Sequence, residues 1–222
     1  MHTLLVAANP DPRSLTHYVL GRLEAALQPG SVEIADLAAE GFDPRFTPAD
    51  RRAYHGGGDY PADVVAEHRR LERATDLVLV FPVYWWSMPA LLKGWIDRVF
   101  VNGWAFEHSP ASGLQPKLQA LTTHLLFLAG ADSGAYERHG YEKALRTQIE
   151  HGIVDYCGSR RGSTAFLYES EQLAPETTVR DVDRAVRTIT EAIRARGTAG
   201  TAGPAPDGVP PAGSRTGRLA DR

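Results

Sequence analysis

The stretch from Leu77 to Phe106 constrains this chain more than any other. It opens with Leu77-Val78-Leu79-Val80-Phe81, an apolar run that fits one strand buried on both faces and is too short to span a membrane. Pro82 breaks the run, and Val83-Tyr84-Trp85-Trp86 follow. Pro89 then stands where the first turn of a helix tolerates proline, with no donor to lose and φ already set. From there Leu91, Leu92, Trp95, Ile96 and Val99 recur at helical spacing, while Lys93, Asp97 and Arg98 fall on other faces. A buried strand, an aromatic loop and an amphipathic helix in this order suit an open parallel sheet, where ligands bind at the carboxyl ends of strands. Three adjacent large aromatics on one loop cannot all point inward. They are either part core cluster or a wall for a large, flat ligand.

N-terminal to this stretch lies a strand–helix–strand unit. Thr3-Leu4-Leu5-Val6-Ala7 is strand-like, Asn9-Pro10-Asp11-Pro12-Arg13-Ser14 is turn-rich, and Ser14 is a natural N-cap for a helix with Leu15, Val19, Leu23 and Leu27 on one stripe. Pro29-Gly30 stops that helix, and Val32-Glu33-Ile34-Ala35-Asp36-Leu37 alternates as a second strand. Such crossovers are nearly always right-handed between parallel strands. Residues 38–60 lose periodicity, although Thr47 and Asp50 have the spacing of a capping box. The triple glycine at 56–58 follows no strand and precedes no Lys-Ser/Thr, so it reads as a surface loop rather than a phosphate cradle. A helix over 61–73 turns Val64, Val65, His68 and Leu71 inward.

Beyond the central helix, residues 102–117 are predicted irregular, 118–129 a strand and 130–134 a small-residue loop. A helix over 141–156, a strand over 163–169 and a last helix over 177–196 complete the pattern, with Val179, Val182, Val186, Ile189 and Ile193 on one face of the last. Residues 197–222, dominated by Gly, Ala, Pro and Thr, bury too little to offset the entropy of ordering and are expected to form a disordered tail on a domain of residues 1–196.

Strand signals alternating with helices predict a three-layer α/β domain, with helices on both faces of a five-stranded parallel sheet. No G-x-G-x-x-G opens the first helix, which points to strand order 2-1-3-4-5, the flavodoxin-like fold, rather than to the dinucleotide-binding order. The switch point of that order brings residues 9–16, 82–86 and 130–136 around one crevice. There Ser14, Leu15 and Thr16 offer a hydroxyl and backbone N–H groups at a helix N-terminus, a donor set that suits a phosphate; Ser14 serves equally as a plain cap. Tyr84, Trp85 and Trp86 are placed to flank an isoalloxazine ring.

Other constellations fit less well. A net charge of −3 gives no basic footprint for nucleic acid. No apolar run reaches the roughly 20 residues of a membrane helix, and the N-terminus has no signal-peptide pattern, so a cytoplasmic location is expected. Cys157 is the only cysteine, which leaves no intrachain disulfide or Cys-based zinc site and reads as buried filler. His55, His68, His124, His139 and His151 lack metal-ligand spacing, so no metal is expected, and Ser133 stands in the wrong place for a nucleophile elbow.

The block Phe81-Pro82-Val83-Tyr84-Trp85-Trp86-Ser87-Met88-Pro89-Ala90-Leu91-Leu92-Lys93-Gly94-Trp95-Ile96-Asp97-Arg98-Val99-Phe100 resembles the signature of the NAD(P)H:quinone oxidoreductase family, the DT-diaphorase-like flavodoxin-fold proteins. The opening loop through His17, the helix before Leu77 and the segment His139-Gly140-Tyr141-Glu142-Lys143-Ala144-Leu145 are similar to it as well. The resemblance implies a homodimeric flavoenzyme holding FAD, or alternatively FMN, that takes hydride from NAD(P)H and reduces quinones by two electrons with ping-pong kinetics. It implies that Ser14, Leu15 and Thr16 bind the flavin's phosphate and ribityl end, and that Pro82, Val83, Tyr84, Trp85 and Trp86 run along its ring. Gly130 and Ala131 match backbone at the ring's far edge. Tyr136 and His139 match the family's Tyr and His near the reactive flavin, and Phe106 and His108 match aromatics that close the partner subunit's substrate pocket. Asn9 stands where the family usually has His, which alters any phosphate contact, and the loop 130–139 is shorter than in vertebrate members. Related readings are a flavin-binding regulatory subunit of a potassium efflux system and a reductase of nitro or azo compounds.

Overall fold

The computed structural model describes residues 1–172 and 175–201. Its centre is a five-stranded sheet in which β1 (Thr3–Ala7), β2 (Val32–Asp36) and β3 (Asp76–Pro82) pair in parallel with two later strands, β6 (Thr122–Leu128) and β7 (Arg160–Leu167). The order β2-β1-β3-β6-β7 is the expected 2-1-3-4-5, since β4 and β5 lie outside this sheet. Side chains of a strand alternate between faces, and the central run obeys this. Leu77, Leu79 and Phe81 pack toward α3 (Ala62–Arg73) and α4 (Ala90–Val99), joined by Leu71, Leu92 and Trp95. Val78 and Val80, with Leu5 and Ala7, pack toward α1 (Leu15–Ala26) and α7 (Pro175–Thr201), joined by Val19, Leu23, Val182 and Ile189. Burial of each Val, Leu, Ile or Phe among these stabilises by roughly 1.5–3 kcal/mol.

The aperiodic residues 38–60 owe their order to a buried cation. Thr47 and Asp50 form the capping box of α2 (Pro48–Tyr54), with Thr47 N donating to Asp50 Oδ2 at 2.7 Å and Asp50 N to Thr47 Oγ1 at 3.2 Å. The other Asp50 oxygen accepts from Arg98 Nε at 3.1 Å. Arg98 also donates to Asp43 O at 2.8 Å and to the Asp63 carboxylate, and is only 3% exposed. One guanidinium thus ties α4 to α2, α3 and the loop before α2. Gly94 lets that loop approach: a Cβ there would collide with Pro44 O.

Several elements differ from expectation. Within 102–117, β4 (Phe106–Ser109) and β5 (Gly113–Pro116) form an antiparallel hairpin, pinned by Phe106 packing on Ala105 and Cys157. Its four-residue strands are too short to show alternation. β6 starts at Thr122 because Leu118 and Leu121 are held in a turn, Leu118 N bonding Cys157 O and Leu121 N bonding Leu118 O. Ser133–His139, partly predicted as loop, is the short helix α5, N-capped by Asp132 and ended by Gly140 at φ 68°. The helix predicted over 141–156 divides into α6 (Tyr141–Arg146) and a π-helical turn run, Thr147–Asp155. Arg98, off the apolar stripe of α4, is nonetheless buried, and Val65 is only half-buried. Val179 is 43% exposed rather than on the inner face of α7. The last helix continues to Thr201, past residue 196, and residues 202–222 of the expected tail lie outside the described residues.

Cys157 is buried in the cluster beneath the hairpin, and burial pushes its thiol up to about 12. His124 is a satisfied core histidine, with Asp76 Oδ1 3.2 Å from Nε2 and Ser163 N donating to Nδ1 at 3.0 Å. Among the described residues no helix is long and apolar enough to cross a membrane, and no cluster of His, Cys, Asp or Glu can hold a metal.

Candidate active site

The loops after β1, β3 and β6 all leave the carboxyl edge of the sheet, β3 lying between β1 and β6. After β3 the chain makes a two-residue hairpin: Tyr84 N donates to Ser87 O and Ser87 N to Tyr84 O, each at 3.0 Å. Trp85 and Trp86 occupy the turn with φ of 48° and 58°. Both central residues of such a turn need positive φ, which Asn and Gly adopt readily. For bulky L-residues the conformation costs about 1–2 kcal/mol each. The strained pair is also unburied: Trp85 is 93% exposed, with Tyr84 and Trp86 exposed beside it.

Trp86 is held from one side. Tyr141, first residue of α6, stacks on it with centroids 3.7 Å apart and planes 10° apart. His139 stacks in turn on Tyr141 at 5.2 Å, so it lies on the solvent side of this pile and is itself exposed. Tyr136 meets Trp86 edge-on at 5.8 Å and stands among Tyr141, Phe166 and Tyr168, 1% exposed. Among the described residues its hydroxyl has no hydrogen-bond partner, and burial pushes its ionisation up to about 12. It is therefore a protonated donor at any ordinary pH.

Val83, Trp85, Trp86, Gly130, Ala131 and Tyr136 together line a cavity of about 160 Å³. Pro82 ends β3 beneath it, paired with Leu128. Six of the expected residues thus converge, while His139 does not reach the cavity. Phe106 and His108 lie elsewhere, lining a separate cavity of about 490 Å³ with Tyr54, His55, Asn102 and Tyr156.

The loop after β1 leaves the sheet beside the loop after β3. Asn9 Nδ2 donates to Thr16 Oγ1 at 3.0 Å, and Asn9 Oδ1 accepts from Asp11 N at 3.0 Å. Asn9 therefore orients Thr16, whose side chain is buried. Ser14 Oγ caps His17 N at the start of α1. The N–H groups of Leu15 and Thr16, first in the helix, have no intrahelical acceptor. His17 bridges Ser14 Oγ, 2.9 Å from Nδ1, and Asp36 Oδ2, 2.8 Å from Nε2.

Periodicity gives no sign of Tyr141, Phe166, Tyr168 or the His17–Asp36 pair. Tyr141 is readable only as the residue after a helix-ending glycine. The pair is suggested by spacing alone, since His17 follows Ser14 by one helical turn and Asp36 ends the strand beside β1.

A family model described as "Flavodoxin-like fold" matches residues 1–193. The chain belongs to this flavodoxin-like family. Among its flavodoxin-like relatives, the ribosyldihydronicotinamide dehydrogenase [quinone] of Rattus norvegicus is 30% identical over 179 residues, covering 70% of this chain and 76% of the relative. An uncharacterised NAD(P)H oxidoreductase of Escherichia coli is 30% identical over 166 residues, covering 73% and 81%. The solved NAD(P)H:quinone oxidoreductase of Methanothermobacter marburgensis superimposes with a TM-score of 0.76 at 24% identity over 84% of this chain and 96% of that one. That likeness concerns the fold.

The donor set fits a flavin: an aromatic wall with open faces, backbone at a small-residue loop opposite, and amide and hydroxyl donors at a helix N-terminus. Chemically, such a crevice can hold a flat ring against Trp85 and Trp86 with a neutral tyrosine hydroxyl at its edge.

Proposed function

We propose that this oxidoreductase binds a flavin in the crevice and passes hydride from NAD(P)H to quinone-like acceptors in a ping-pong cycle. The strained Trp85–Trp86 turn carries the reading. A fold-stabilising turn has no reason to hold two tryptophans at positive φ and leave one in water and the other half-covered, whereas a ring-binding wall does. When bound, the flavin supplies the two-electron chemistry, and the protein's part is to place and polarise it.

Leu15 and Thr16 N–H, with the Ser14 hydroxyl, receive the phosphate end, and Asn9 holds Thr16 in position. Val83, Tyr84, Trp85 and Trp86 flank the ring above Pro82 and exclude water from that side, while backbone at Gly130 and Ala131 meets its far edge. Tyr136 keeps its proton on the hydroxyl oxygen and donates a hydrogen bond where negative charge develops. His139 acts through Tyr141, keeping the stack on Trp86 in place. Phe106 and His108 serve the pocket of a second copy in a homodimer, which the hairpin's separation from its own crevice supports. FAD is preferred over FMN because the segment 38–60, made rigid by Arg98, offers a fixed wall for an adenosine. A purely regulatory role is not favoured by relatives that carry dehydrogenase and oxidoreductase names.

The test is direct. Purified protein is expected to carry or take up flavin, to release FAD on heating, and to oxidise NADH or NADPH when a quinone is added. A colourless protein that takes up neither FAD nor FMN and oxidises neither nucleotide would overturn the proposal.

A further inference from the structure

The phosphate end of the crevice holds a hydrogen-bonded chain, Ser14–His17–Asp36, of which only Ser14 has a part in the reaction above. Asp36 is fixed: it ends β2, and its Oδ1 accepts from the N–H groups of Ala38 and Ala39 at 3.2 Å each. A carboxylate only accepts, so the His17 nitrogen 2.8 Å from Asp36 Oδ2, Nε2, carries a proton. In neutral His17 the other nitrogen, Nδ1, is then an acceptor, and Ser14 Oγ at 2.9 Å must give it its one hydroxyl proton. Ser14 in that state turns only lone pairs toward the start of α1, where phosphate oxygens need donors. A second proton on His17 reverses the polarity. Nδ1–H then donates to Ser14 Oγ, and the hydroxyl proton is free to point at a phosphate.

The charged groups around His17 are few, and those other than Asp36 are exposed or paired elsewhere. Asp36 faces it from β2. On the preceding loop Asp11 and Arg13 are exposed and paired with each other at 3.7 Å. Past Asp36, Glu40 is held by Arg70 of α3. In α1 itself the first turn holds no acidic residue, and Arg22 is held by Asp183 of α7 at 2.6 Å.

We propose that His17 is a positioning residue for the cofactor phosphate, taking up a proton as the phosphate binds and thereby turning the Ser14 hydroxyl into a donor. The inference rests on the flavin reading of the crevice.

Flavin-stripped full-length protein is titrated with riboflavin, FMN and FAD across neutral pH, following flavin fluorescence. Riboflavin has no phosphate and reports the ring wall alone. FAD separates the protein's proton from that of the FMN phosphate, whose second ionisation lies near pH 6. FMN and FAD affinity should fall roughly tenfold for each pH unit above the His17 transition, while riboflavin affinity stays flat. His17→Gln should remove that slope and leave riboflavin binding intact. In parallel, ¹⁵N spectra of the wild type should show both His17 nitrogens protonated with FAD bound and one without it, a measurement that needs no variant. Equal slopes in wild type and His17→Gln, or a singly protonated His17 in the FAD complex, would overturn the inference while leaving the flavin reading standing. Failure of all three flavins to bind would overturn both.

Discussion

The Arg98 knot and the Trp85–Trp86 turn stand twelve residues apart in sequence and invert each other's chemistry. Arg98 is a charge in the interior with every direction answered: Asp50, Asp63 and Asp43 O around it, and the Phe42 ring 5.3 Å away. Trp85 is an apolar ring in water and Trp86 is covered on one side only, both on a backbone that resists them. A buried charge with complete partners is explained by folding, because it organises segments that lack periodicity. Exposed rings on strained backbone are not, and so they point to a ligand. Changes at the two places should therefore separate stability from binding.

The largest expected effect is Asp50→Ala. It leaves the Arg98 guanidinium buried with an unanswered edge and should lower unfolding free energy by about 3–5 kcal/mol, read by urea denaturation. The flavin affinity of the protein that remains folded should be near normal, and a parallel loss of affinity would erase the contrast. Tyr136→Phe should keep flavin bound and slow its reduction by NAD(P)H roughly 10²-fold in stopped flow, the size of a lost donor at developing charge. Unchanged reduction would remove Tyr136 from its role. Trp85→Asn should do the reverse of the knot mutant: relieving positive φ stabilises the fold by about 1 kcal/mol, while flavin affinity falls roughly tenfold.

The pH response sharpens the same contrast at smaller scale. Arg98, hydrogen-bonded to Asp63, holds that carboxyl below its usual range. Its contribution is therefore present above pH about 4 and lost as pH falls through the lowered folded-state value, so Asp63→Asn should flatten the acid limb of stability slightly. Tyr136 behaves oppositely. Its ionisation is raised to about 12 from an unfolded value near 10, so its contribution is complete below pH about 10 and is lost as pH rises toward 12. Flavin reduction should show no step from Tyr136 in the neutral range.

Much of the fold was legible because strands buried on both faces leave uninterrupted apolar runs, as at Leu77–Phe81, and because Ser14 and Thr47 are caps with a mechanism. The crevice followed from strand order, and the cavity between Trp86, Gly130 and Tyr136 lies where that order puts it. Arg98 was not legible: helical spacing sets it off the apolar stripe, and only Asp50 and Asp63, brought from other elements, make its burial tolerable. The hairpin at Phe106 was hidden by its short strands. Tyr141 stacking on Trp86 joins the start of α6 to the turn after β3, and no periodicity encodes it.

In the proposed function the crevice presents a flavin to NAD(P)H and then to an acceptor. Anaerobic mixing of the flavin-loaded protein with NADH or NADPH tests it most directly. The account predicts that the flavin's visible absorbance bleaches and returns when a quinone is added. Absorbance that neither nucleotide changes, with flavin still bound, would contradict it.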